Sequence, residues 1–144
     1  MENQQAKIMI FVDSNYWVDL FDKTTPEHES VKRHFHTIYP NFNIIVNVVV
    51  VMEVMHYLVK RLDPEIAQEK WELFSAIPFE IGNFFHNEIN DAFKMLKTYS
   101  FTGVGGRDAT ILAYMKKKGI KAIATHDEDF MRVDFVKIID PISS

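Results

Sequence analysis

The sequence predicts an α/β fold of three layers, with helices on both faces of a central parallel sheet of four to five strands. Two observations lead there. Short apolar runs alternate with longer stretches of helical spacing, the pattern of repeated β-α-β units. Carboxylates then recur at the ends of apolar or loop segments: Asp13 after residues 8–12, Glu53 after 48–52, Asp108 after Gly105-Gly106-Arg107, and Asp127 after 122–126. Open α/β sheets hold their ligands at the carboxyl ends of parallel strands. Three or four acids brought to one such edge cannot all stay ionised without a cation.

Each element has a local reason. Residues 8–12 form a buried strand, and 15–21 the helix after it. Pro26 opens a second helix to about Ile38, ended by Pro40-Asn41. Residues 42–46 are the second strand; Asn47 then caps a helix over 48–62 in spite of its valines. Asp63-Pro64 closes that helix and opens another over 65–76, with Ile66, Trp71 and Phe74 at helical spacing. Residues 78–81 make a short strand. A helix starting at Asn83 or Asn87 runs to Lys97, with Ile89, Ala92, Phe93 and Leu96 on one stripe. After the loop 103–106, a helix over 107–118 stops at Gly119, in the left-handed position that glycine favours. Residues 121–125 and 135–139 are the last strands.

Composition bounds the function. At 144 residues, 47% hydrophobic and 25% charged, the chain is one ordinary globular domain. It has no cysteine, which excludes disulfides, thiolate zinc sites and cysteine nucleophiles. Its longest apolar run, 44–52, is too short to span a bilayer, and residues 1–7 carry no signal-peptide pattern, so a cytoplasmic location is expected. The net charge of −4 argues against a nucleic-acid coat, though not against a nucleic-acid enzyme whose acids hold metal. Lys32-Arg33-His34 and Lys116-Lys117-Lys118 read first as solvated helix faces and second as phosphate contacts.

The acids are unequal witnesses. Asp13, in Val12-Asp13-Ser14-Asn15, is equally a helix cap. Glu53 lies in a helix that is apolar on nearly every side, which implies burial. A buried carboxylate needs a partner: an arginine (Arg33, Arg61 or Arg107), or a metal or its water. Asp108 suits the dipole of the helix it opens, yet it shares the stripe of Ile111, Leu112 and Met115 and so points inward. Thr125 and Glu128 fit a capping box, and Asp127 and Asp129 compete for one place at the site. Oxygen-only donors suit Mg²⁺ or Mn²⁺ over zinc or copper.

Ile10-Phe11-Val12-Asp13-Ser14-Asn15, the helical Glu53, Gly106-Arg107-Asp108-Ala109-Thr110-Ile111-Leu112-Ala113 and Ala124-Thr125-His126-Asp127-Glu128-Asp129-Phe130 together resemble the PIN-domain nucleases, VapC-type toxins most of all. The resemblance runs from about Ile8 to Pro141 and implies a single PIN-like domain over 1–144, with 1–8 as an extension and Met9 an alternative start. It implies that Asp13, Asp108 and Asp127 bind metal directly and Glu53 directly or through water. Asp129 is then a supporting acid, and Ser14, Asn15 and Thr125 hydrogen-bond the acids or water. One ion, Mg²⁺ or Mn²⁺, or two, would serve hydrolysis of an RNA phosphodiester. A homodimer and a cognate antitoxin laid in a groove near the site are implied as well, with Trp17, Phe21 and Trp71 placed either on those surfaces or in the core. The segment 84–101 is longer and more aromatic than is typical of the family.

Rival readings have less support. An aspartyl-phosphate phosphatase needs an acid where Asn15 stands, and a phospho-acceptor domain needs one where Asn47 follows the second strand. Within the resemblance, the alternatives to a toxin are a housekeeping RNA-processing nuclease and a non-catalytic module that binds RNA or protein.

Overall fold

A computed structural model describes residues 7–142, so most of the 1–8 extension lies outside the described residues. Five strands form one parallel sheet: β1 (Met9–Val12), β2 (Asn43–Asn47), β3 (Glu80–Gly82), β4 (Ala122–Ala124) and β5 (Lys137–Ile139). Their order is β3-β2-β1-β4-β5. Six helices connect and cover them: α1 (Ser14–Phe21), α2 (His28–Ile38), α3 (Val48–Arg61), α4 (Pro64–Ser75), α5 (Ile89–Thr98) and α6 (Gly106–Lys118). The three-layer parallel architecture is the one expected, and among the described residues no helix is long and apolar enough to cross a membrane.

β1 lies at the centre, with Phe11 beside Ile45 of β2 on one side and Ile123 of β4 on the other. Ile10, Phe11 and Val12 have no exposed surface, as expected of a strand covered on both faces. The order turns outward from β1 in both directions, so the switch point lies between β1 and β4, where a crevice opens at the strand ends. Trp17 is fully buried, stacked on Phe21 and edge-on to Phe35, Phe74 and Phe79. It is a core residue and lines no docking surface; its indole N–H donates to the Val12 carbonyl at 3.1 Å.

Several local readings hold. Asn47 caps α3, its side chain accepting from the Val50 N–H at 2.9 Å. Gly119 ends α6 at φ +71°, and the next N–H, that of Ile120, reaches back to the Met115 carbonyl at 2.8 Å. Three readings fail. α3 buries only the stripe Val50, Val54 and Leu58 and leaves Met52 and Val59 exposed, so it is not buried on all sides. The turn after β4 is capped by Asp127 and not by Thr125. The stripe of α5 is inverted: Met95 and Tyr99 face inward, while Ile89, Phe93 and Leu96 are exposed. Glu88 and Ala92 complete the inner face, and Glu88 pairs with Lys117 of α6 at 3.3 Å. A short 3₁₀ turn, His86–Glu88, precedes α5, and Phe85 just ahead of it is exposed like the outer stripe.

Candidate active site

The acids converge where the sheet order predicts. Asp13 immediately follows β1, and its side chain caps α1 by accepting the Ser14 N–H at 2.7 Å. The capping role and a place at the site are therefore compatible, because strand end and helix start share the crevice. Asp13 has no exposed surface. Its second oxygen accepts from the Thr125 hydroxyl at 2.9 Å. Thr125 Oγ1 also accepts from Asn15 Nδ2 at 2.9 Å and from the Asp127 N–H at 3.0 Å. One hydroxyl thus joins β1, α1 and the turn after β4. Asn15 Oδ1 is buried without a partner among the described residues.

Asp108 stands in the first turn of α6, buried, with Oδ2 accepting from the Gly105 N–H at 3.3 Å. Ile111, Leu112 and Met115 on its stripe are fully buried, so the inward direction inferred from their spacing is correct. Asp127 is extended (φ −79°, ψ 114°) and accepts the Asp129 N–H at 2.9 Å. That extended residue ahead of a 3₁₀ turn lets both acids face the crevice, so Asp127 and Asp129 do not compete for one place. One carboxylate oxygen from each of Asp108, Asp127 and Asp129 lies within 4.8 Å of the other two.

Of these three acids only Asp108 has an ion pair among the described residues, with Arg107. Burial raises the Asp127 pKa above its ordinary value; the carboxylates of Asp129 and Asp13 raise it further, against the pull of the Asp129 backbone N–H. Three converging carboxylates with no nitrogen or sulfur donor fit a hard divalent cation, Mg²⁺ or Mn²⁺ in type.

Glu53 is placed differently from expectation. Its side chain is 38% exposed on the wall of a cleft, not buried among valines. Its partner is Arg107, which donates from Nε to Glu53 Oε1 at 2.7 Å. The same guanidinium donates from Nη1 to Asp108 Oδ1 at 2.6 Å, and from Nη2 to Asp13 and to Ser14 Oγ, the last at 2.9 Å. Burial works against the Arg107 charge, but Asp13, Asp108 and Glu53 outweigh it and hold the group firmly protonated. Asp13 and Glu53 therefore stand outside the three-carboxylate cluster and are tied to it through Arg107. Sequence reasoning names Arg107 only as one of three arginines able to pair with Glu53; its position directly before Asp108 in Gly-Gly-Arg-Asp is the signal that would have singled it out.

A cleft of about 790 Å³ adjoins the acids, bounded by Ser14 and Asn15 of α1, by Val49, Met52, Glu53, His56 and Tyr57 of α3, and by Asp19, Glu27 and His126. A smaller hollow of about 450 Å³ borders Asp129 on another side, lined by Phe101, Gly103, Met131 and Arg132 among others. In the basic run 116–118, Lys117 pairs with Glu88 and Lys116 lies over the Phe135 ring.

A parallel α/β sheet that gathers carboxylates at its central strand ends defines the class of open α/β domains whose site lies at the topological switch point. The PIN domain family matches residues 10–136, and the chain belongs to that family. Its fold is shared with VapC20 of Mycobacterium tuberculosis, described as a sarcin-ricin loop cleaving toxin, at a TM-score of 0.75 and 24% identity, over 88% of this chain and 96% of that one. VapBC2 of Rickettsia felis, bound to a promoter DNA fragment, superposes with a TM-score of 0.73 at 17% identity over 92% of this chain and 98% of that one. FitAcB of Neisseria gonorrhoeae does so with a TM-score of 0.72 at 19% identity, covering 94% and 100%. Comparison with curated protein sequences gives no match.

Proposed function

We propose that this protein is a divalent-metal-dependent endoribonuclease and the toxin of a type II toxin–antitoxin pair. The observation that carries the reading is the convergence of Asp108, Asp127 and Asp129 beside the buried Asp13 at the ends of β1 and β4. Asp108, Asp127 and Asp129 would hold the ion, with Asp13 and Glu53 completing the acid set. When bound, a divalent ion lowers the pKa of the attacking water and offsets charge on the departing 3′ oxygen.

The rest of the mechanism belongs to the chain's own residues. Thr125 fixes Asp13 and Asp127 relative to each other. Ser14 and Asn15 line the cleft beside Glu53, along which an RNA strand would lie. Water attacks phosphorus, the P–O3′ bond breaks, and the products carry a 5′-phosphate and a 3′-hydroxyl. The same cleft, with Val18, Val49 and Met52 beside Asp19, Glu27 and Glu53, suits a basic amphipathic segment, which supports an antitoxin as partner. A homodimer completes the proposal, and light scattering of the purified protein checks it.

The test is cleavage of a structured RNA in magnesium or manganese. Wild type cuts and EDTA stops it, while Asp13→Asn loses at least about a hundredfold in rate, the scale of removing a group that organises a catalytic ion. An Asp13→Asn protein as fast as wild type overturns the reading. A short neighbouring gene for a DNA-binding protein that suppresses the activity distinguishes a toxin from a housekeeping nuclease.

A further inference from the structure

Arg107 occupies the acid pocket in a way that pairing with Glu53 alone does not require. Each of its three guanidinium nitrogens meets a different carboxylate: Nε meets Glu53, Nη1 meets Asp108 and Nη2 meets Asp13. Those acids come from α3, the start of α6 and the end of β1. Asp13 is wholly buried, and a buried carboxylate without a counter-charge is strongly disfavoured. Arginine cannot shed its proton to make room for a second cation, so its charge leaves only if the side chain moves.

A divalent ion seated against Asp13 and Glu53 would face that positive charge at contact distance. Guanidinium and ion are therefore mutually exclusive on those two acids, whereas Asp127 and Asp129 have no arginine ion pair among the described residues. Arg107 has a way out toward solvent. Its side chain is 28% exposed.

We propose that Arg107 is a resident counter-cation that holds the pocket together without metal, and that a divalent ion must displace it from Asp13 and Glu53 to complete the site. It sets the metal concentration at which the protein becomes active. This rests on the reading of the pocket as a divalent-ion site.

The test needs no RNA. Mn²⁺ is titrated calorimetrically into wild type, Arg107→Gln and Arg107→Lys. The glutamine variant is expected to bind at least about tenfold more tightly, with the lysine variant, which keeps the charge, near wild type. In ¹⁵N-labelled wild type, the Arg107 Nε–H resonance is expected to shift as Mg²⁺ is added. Equal or weaker binding by Arg107→Gln overturns the proposal. If that variant does not fold, an Nε–H signal unmoved at saturating Mg²⁺ overturns it in wild type alone. Absence of Mn²⁺ uptake by wild type removes the metal-site reading itself, which is a different outcome.

Discussion

The Thr125 hydroxyl, at the end of β4, donates to the buried carboxylate of Asp13, at the end of β1, across 2.9 Å. Two neighbouring central strands are thereby locked in the register that brings their acids together. Thr125 is itself fully buried and accepts from Asn15 and from the Asp127 N–H. Thr125→Val keeps the shape and removes every one of these bonds. We expect a loss of about 1–3 kcal/mol in urea denaturation, the cost of stranding buried polar groups, together with weaker Mn²⁺ binding. Thr125→Ser should restore both.

Gly103 is a second way to reach the site without touching an acid. A Cβ at this position would lie 1.9 Å from Asp129 Oδ1, so the side chain of Asp129 must give way. Gly103→Ala is expected to weaken Mn²⁺ binding and RNA cleavage while leaving the melting temperature nearly unchanged, because the half-buried Asp129 carboxylate can rotate toward solvent. Calorimetric titration beside a thermal melt separates the two effects.

Gly82 at the edge of the sheet makes the opposite case. A Cβ there would come within 2.3 Å of the Tyr114 ring, which is buried and packed edge-on to Phe11. The ring cannot swing into water without opening the core under α6. Gly82→Ala should therefore cost about 1–3 kcal/mol, the usual penalty for overpacking, read by urea denaturation, with metal affinity per folded molecule unchanged.

His34 gives the protein a pH dependence away from the acids. Its Nδ1 is hydrogen-bonded to the Tyr16 hydroxyl at 2.8 Å, and burial lowers its pKa below the usual 6.5, with Asp140 pulling partly back. As pH falls below that value the unfolded chain takes up the proton before the folded one does, so this part of the stability is lost on acidification. Stability should fall as pH drops through and below the ordinary 6.5 on this account, and His34→Gln should flatten that slope. A slope unchanged in the variant would assign the effect elsewhere.

Much of this structure was legible because it depends on short-range chemistry. An apolar run ended by Asp13, the asparagine before α3 and the glycine after α6 each satisfy a local backbone requirement. The direction of Asp108 followed from its spacing to Ile111, Leu112 and Met115. What escaped the sequence depends on partners far along the chain. α5 carries apolar residues on both faces, so periodicity alone could not tell Met95 and Tyr99 from Ile89 and Phe93; packing on α6 and the Glu88–Lys117 pair decide it. Glu53 read as buried because its neighbours are valines, yet helix α3 turns it toward a cleft and Arg107. Asp127 and Asp129 looked like competitors because spacing by two suits only an extended backbone; one extended residue ahead of the turn was enough.

The central position of β1 has a consequence for synthesis. The first strand made pairs on one side with Asn43–Ile45, soon available, but on the other with Ala122–Ala124. On the ribosome that second edge stays bare until Ala122–Ala124 have emerged, more than a hundred residues later, and long-range pairing of this kind comes late in folding. Asp13 and Asp127 cannot meet before then. A nascent chain therefore carries Asp13 and Glu53 long before it has the pocket, and whatever the pocket does begins only once β4 has been made and paired.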